Sequence, residues 1–162
     1  MKKEKVIAVY AGTFDPVTNG HLDIIERASQ IFDVLFVTIS VNPNKKELFS
    51  VEERFQLLKE VTKHMDNVIV DTSTQLTVEY AKSIGAKVLV RGLRATMDFE
   101  YELQLAFANQ YLDEEIEMAF LMTKANHAFI SSSTVKEIAM HHGAVDGLAP
   151  SCVCQALKEK FH

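Results

Sequence analysis

Apolar positions in this chain follow two alternating patterns. Short, β-rich runs, the first of them without polar interruption, occur at Val6–Tyr10, Val34–Val41, Val68–Val70, Lys87–Val90 and Glu117–Thr123. Strands covered on both faces of a parallel sheet have this pattern. Between the runs, apolar residues recur at three- and four-residue spacing, which predicts helices. Leu22, Ile24, Ile25 and Ala28 mark the first helix, and Val51, Phe55, Leu58 and Val61 mark a second behind a Ser50–Glu53 capping box. A short helix runs through Tyr80 to Ile84 with Gly85 as its stop, and a long one from Asp98 to about Asp113 carries Phe99, Leu103, Ala106 and Phe107. A helix opened by Ser131–Thr134 carries Val135, Ile138 and Ala139 and ends at Gly143. A last helix from Pro150 to Lys160 is packed by Val153, Leu157 and Phe161.

Strands and helices alternate throughout, without repeats, low-complexity tracts or a linker. The expected architecture is α/β, a three-layer doubly wound (Rossmann-like) fold with a five-stranded parallel sheet and right-handed crossovers, forming one domain over residues 1–162. The unalternating first run places that strand at the centre of the sheet.

Composition narrows the class. A chain of 162 residues, 48% hydrophobic and 24% charged, has the make-up of an ordinary globular protein. It is long enough to bury roughly two-thirds of its unfolded surface. The run after MKKEK is too short for a membrane span and leads to GTFDP rather than a small-residue cleavage site, so a cytoplasmic protein is expected. A formal net charge of −5 argues against a nucleic-acid surface but leaves room for a local convergence of cations on a small anion. Cys152 and Cys154 have no second cysteine pair for a four-cysteine zinc site, and reduced, packed thiols are expected, with no metal cluster.

Candidate chemistry collects where strands end. After the first strand, Gly12 breaks the run, Asp15-Pro16 turns the chain, and Thr18-Asn19-Gly20-His21 leads into the helix. The first N–H groups of a helix lack partners and sit at the positive end of its dipole, which makes an anion site. Gly20 lets a phosphate approach the backbone. His21, in the first turn, is expected to be neutral and still able to donate one hydrogen bond. Asn42-Pro43-Asn44-Lys45-Lys46 follows the second strand, and Arg91-Gly92-Leu93-Arg94 follows the fourth. Each cationic pair is either a solvated loop or a phosphate grip, guanidinium forks being the better match to phosphate oxygens. Glu102 could bind a ribose, hold an arginine, or be simply solvated. The hydroxyls of Ser131, Ser132 and Ser133 either cap their helix or add a second anion site.

Gly12–Pro16 followed by Thr18–His21 resembles the signature of the nucleotidyltransferase superfamily. Together with Lys45 after Asn42-Pro43-Asn44, RGLRATMDFEYE and FISSSTVKE, in that order, it makes the whole chain similar to the phosphopantetheine adenylyltransferase family. The resemblance implies transfer of AMP from ATP to 4′-phosphopantetheine, giving dephospho-coenzyme A and pyrophosphate. It implies that His21, Lys45 and Arg91 are catalytic. The ATP site would comprise Thr13, Phe14, His21, Gly92, Leu93, Arg94, Glu102, His127, Ala128, Phe129, Ile130, Ser131, Ser132 and Ser133, and the acceptor site Thr13, Lys45, Thr77 and Arg91. It further implies Mg2+ carried with ATP, no protein metal site, a homohexamer and feedback binding of coenzyme A. Ala11 stands where the family often has proline, Thr77 where Leu or Met is usual, and His127 where an aromatic residue is usual.

The acceptor's phosphate monoester has a second pKa of about 6 and is already a nucleophile near neutral pH, so no general base is needed. The remaining difficulty is to bring two anions together, which calls for positioning and charge neutralisation, by direct in-line displacement without a covalent intermediate. Rival readings are a nucleotidyltransferase for another phosphate acceptor and a non-catalytic nucleotide-binding module.

Overall fold

In the computed structural model, which describes residues 3–162 and leaves out the side chains of Thr96 and Met97, five parallel strands form one sheet in the order β3-β2-β1-β4-β5. The strands are β1 (Ile7–Gly12), β2 (Val34–Ser40), β3 (Val68–Ser73), β4 (Val88–Leu93) and β5 (Glu117–Met122). The helices are α1 (Asn19–Ile31), α2 (Val51–Thr62), α3 (Thr77–Ser83), α4 (Thr96–Leu112), α5 (Ser132–Met140) and α6 (Ser151–Phe161), with a single 3-10 turn at Ala125–His127. The parallel sheet, the central β1 and the alternation of elements are those expected from the apolar runs. β3 extends beyond its apolar triplet to Ser73 because it stays in register with β2 as far as the Ser40–Ser73 pair.

Residue alternation along β1 separates two cores. Ala8 and Tyr10 face one layer, with Ile24, Ile25 and Ala28 of α1, Leu58 of α2, Val135 of α5 and Val153 and Leu157 of α6. Val9 and Ala11 face the other, with Val78, Tyr80 and Ala81 of α3. That second layer is thinner. Its long helix, α4, leaves Phe99, Tyr101, Phe107, Tyr111 and Leu112 exposed, Tyr111 at 88%. Both cysteines are free, with Cys154 buried among the carbonyls of Val145 and Ala149, and burial pushes both thiols above their usual pKa.

The α5 terminus shows how a glycine can end a helix without adopting the left-handed conformation. His142 has φ 59°, and its N–H reaches Ala139 O, while Gly143 N–H reaches Ile138 O at 2.8 Å. These are the paired bonds of a Schellman cap. A Cβ at Gly143 would meet Ile138 Cγ2 at 2.6 Å, so the glycine serves close approach and the histidine takes the positive φ.

One feature of the sheet positions everything that follows. β1 pairs with β2 along its whole length, but with β4 only at Ala8–Val88 and Val9–Leu89. Beyond those pairs the two strands part, at the point where the strand order reverses, and a crevice opens at their carboxyl ends.

Candidate active site

The crevice holds a cavity of about 450 Å3 lined from both sides of the opening, by Phe14 and His21 after β1, Arg91 and Gly92 on β4, Arg94 just beyond it, and Ser131 and Ser132 at the start of α5. Three of the four segments expected to handle phosphate, at His21, Arg91–Arg94 and Ser131–Ser132, therefore meet in one place, and the Lys45 turn does not.

His21 is held by a capping box in which histidine occupies the position usually taken by Glu or Gln. Thr18 caps α1, its hydroxyl accepting the His21 N–H at 3.3 Å, while the Thr18 N–H donates to His21 Nδ1 at 3.1 Å. Because Nδ1 accepts, the ring proton of the neutral imidazole resides on Nε2, which is therefore the donor. The ring is packed edge-on against Phe14 at 5.0 Å. Burial, reinforced by the Arg94 charge, pushes the imidazole down to about 4 from its ordinary 6.5. The expected neutrality is thus present, with desolvation rather than the helix terminus as its main cause.

Phe14 adopts φ 49°, a left-handed conformation unusual for an aromatic residue. Its ring is fully packed, T-shaped against Tyr10 at 5.4 Å, and lies 3.3 Å from where a Gly12 Cβ would stand. Packing on all sides maintains the strained backbone.

Arg91 spans the parted strands. Its Nε and Nη2 each donate to a Glu102 oxygen at 2.7 Å, and Nη1 reaches Ala11 O at 3.4 Å. The hydrogen bonds from Arg91 to Glu102 hold the guanidinium pKa above its already high value. Of the roles open to Glu102, the structure shows the arginine-holding one, as a bidentate pair that fixes the plane of the fork. Arg94 donates from Nε to Asp98 at 3.1 Å and from Nη1 to Ile130 O at 3.4 Å.

Ser131 caps α5, its hydroxyl accepting Thr134 N–H at 3.1 Å, and the Ser132 hydroxyl donates to Pro16 O at 2.8 Å. The capping reading therefore holds for Ser131, and Ser131 and Ser132 also line the cavity. His127, on the 3-10 turn, also lines the cavity, and its Nδ1 is buried without a hydrogen-bond partner among the described residues. Ile130 lines it too.

Other expected site residues lie outside this lining. Lys45 sits on an exposed turn after β2, its N–H bonded to Asn42 O. Thr77 is the first residue of α3, half-buried. Thr13 is half-buried and contributes its carbonyl to Arg54, Leu93 is buried at the end of β4, Ala128 is half-buried, and Phe129 and Ser133 are exposed. Among the described residues no group of three or more His, Cys, Asp or Glu side chains could hold a metal ion.

Sequence reasoning missed four contributors. Tyr10 forms a wall whose phenol burial pushes well above its usual pKa, and Asp98 engages Arg94. Asp15 is buried as a carboxylate, accepting Leu48 and Phe49 N–H at 2.9 Å each and Lys136 Nζ at 2.9 Å. Arg54 is buried on the apolar face of α2, donating to Thr13 O at 2.9 Å and Ser50 O at 3.4 Å. The Arg54 signal was present, since position 54 is four residues before Leu58 on the same helical stripe.

Residues 9–138 match the cytidylyltransferase-like family model. The phosphopantetheine adenylyltransferase of Carboxydothermus hydrogenoformans is 54% identical over 155 residues, 96% of each chain. That of Clostridium novyi is 47% identical over 155 residues, again 96% of each. A solved Vibrio parahaemolyticus structure assigned as a nicotinate-nucleotide adenylyltransferase superposes with a TM-score of 0.73 over 98% of this chain and 95% of that one, at 18% identity, which speaks to the fold alone. A crevice at the strand reversal, a histidine donor and two arginines facing it, and this degree of likeness over nearly the whole length agree, and the chain belongs to the phosphopantetheine adenylyltransferase family of cytidylyltransferase-like proteins.

Proposed function

We propose that the chain transfers AMP from Mg2+–ATP to 4′-phosphopantetheine, giving dephospho-coenzyme A and pyrophosphate, by direct in-line attack of the acceptor's phosphate oxygen on the α-phosphorus. The observation that carries this reading is the Thr18–His21 capping box, which leaves Nε2–H as the imidazole donor in a cavity shared with Arg91, Arg94 and Ser131. A neutral donor held rigidly needs no reorganisation as charge develops on the phosphoryl oxygens.

The bond that forms joins the acceptor phosphate oxygen to the α-phosphorus, and the one that breaks releases pyrophosphate. The acceptor is largely dianionic, so the chain's task is to neutralise and align rather than to remove a proton. His21 donates to the reacting phosphoryl group, Arg94 and the amides at the start of α5 hold the leaving phosphates, and Arg91 and Lys45 receive the acceptor phosphate. Thr13, Phe14, Gly92, Leu93, Glu102 and residues 127–133 frame the nucleotide. Thr77 contacts the pantetheine arm. At the cavity Glu102 and Asp98 are each engaged by an arginine, so an ion accompanying ATP would be held by the phosphates rather than by these carboxylates.

The exposed apolar face of α4 supports assembly into a homohexamer, and coenzyme A, which contains the product, is a natural feedback ligand for the same cavity. Among the described residues no helix is long and apolar enough to cross a membrane, and a cytoplasmic location fits the substrates. The test is pyrophosphate release with ATP or CTP paired in turn with 4′-phosphopantetheine, nicotinate mononucleotide and an alcohol phosphate. Release is expected only with ATP and 4′-phosphopantetheine, and turnover with another pair in its place rejects the reading.

A further inference from the structure

Two buried charges on either side of one loop are not accounted for by the phosphate-handling residues. Asp15, 2% exposed, lies in the segment between β1 and α1, and both its oxygens are used, accepting Leu48 and Phe49 N–H at 2.9 Å while Lys136 of α5 neutralises it at 2.9 Å. Arg54, also 2% exposed, reaches in the opposite direction, from α2 to Thr13 O and Ser50 O. Residues 13–15 and 48–50 are therefore joined by four hydrogen bonds through two side chains of opposite charge.

The bound segment is one foot of the arch that carries Lys45. Its other foot is β2, continued by Val41 N–H to Ser73 O at 2.8 Å. Within the arch the Asn44 and Lys45 N–H groups bond to Asn42, which shapes the turn, while Glu47 reaches Arg54 Nη2 at 3.9 Å. A buried, fully bonded carboxylate is costly to desolvate and is an expensive way to hold a surface loop merely in place.

We infer that Asp15 and Arg54 are positioning residues for the transfer reaction: they set the distance between the Lys45 arch and the His21 cavity. This rests on the reading that Lys45 receives the acceptor phosphate. Neither residue touches substrate. They act because misplacing a charged group by about 1 Å at a site of two mutually repelling anions can cost on the order of 10²-fold in rate.

A double-mutant cycle on the full-length chain decides the matter, with Asp15→Asn and Arg54→Lys each made alone and combined with Lys45→Ala, assayed at a temperature where circular dichroism shows every variant folded. If either positioning variant does not fold, the other carries the cycle. Asp15→Asn and Arg54→Lys are expected to lower kcat by about 10- to 100-fold and to raise KM for the acceptor more than for ATP. In the Lys45→Ala background either change is expected to cost less than about twofold, because the group it positions is gone. Equal costs in both backgrounds would overturn the inference while leaving the Lys45 reading intact. Normal turnover of Lys45→Ala alone would remove that reading and the inference with it.

Discussion

Arg91 and Glu102 are joined by two parallel hydrogen bonds of 2.7 Å each, beside the gap where β1 and β4 part. The pair does more than neutralise charge, because a planar fork bonded at Nε and Nη2 also fixes where Nη1 points, toward Ala11 O at 3.4 Å. Glu102→Gln keeps the shape but leaves one guanidinium nitrogen facing an amide donor. It is expected to lower stability by about 2–3 kcal/mol, the low side for a broken buried pair because the Arg91 side chain is 29% exposed. Turnover should fall at least tenfold. Urea denaturation and steady-state kinetics on the same preparation check both.

His21→Ala is expected to lower kcat by at least about 10²-fold, the scale of one preorganised donor, with ATP affinity by calorimetry nearly unchanged. Near-normal turnover would remove His21 from the reaction.

The same imidazole gives stability a pH dependence of known sign. Its folded-state value, about 4, lies below the ordinary 6.5, so the unfolded chain binds the extra proton first. The stabilisation is fully present above pH 6.5 and is lost as the pH falls toward 4. Between pH 7 and pH 5 this amounts to about 2 kcal/mol, and it should vanish from the difference between urea midpoints in His21→Ala.

Gly20 and Gly143 should respond to alanine in opposite ways. A Cβ at Gly20 meets nothing closer than 3.5 Å, so Gly20→Ala is expected to leave stability unchanged or raise it by up to about 1 kcal/mol, while KM for ATP rises roughly tenfold as the methyl blocks close approach to the helix start. Gly143→Ala drives a methyl into Ile138 and is expected to cost about 1–3 kcal/mol with kinetics intact. Thermal melts paired with kinetics separate the two.

Phe107→Glu and Tyr111→Glu change residues 62% and 88% exposed on α4, where a monomer would tolerate charge. If this face is the assembly interface, sedimentation should show the proposed hexamer giving way to smaller species.

Local rules made the sheet, its central strand and most helix limits legible, since unalternating runs and capping residues act within a few positions. The Ser50–Glu53 box and the Ser131 cap are present as read. Convergence of His21, Arg91, Arg94 and Ser131 was also readable, because parallel strands deliver their carboxyl ends to one edge. Asp15 and Arg54 were not, because burial of a charge depends on partners 33 to 121 positions away, as with Leu48, Phe49, Lys136 and Thr13. Neutral His21 was expected from the helix start, yet the packing of Phe14 and the neighbouring Arg94 act more strongly, and neither is visible in TNGH.

With only two residue pairs between β1 and β4, the sheet is two wings sharing a narrow seam. His21 follows one wing, and Arg91 and Arg94 belong to the other. A nucleotide gripped from both would act as a rivet, so amides flanking the seam should exchange with solvent more slowly once it is bound.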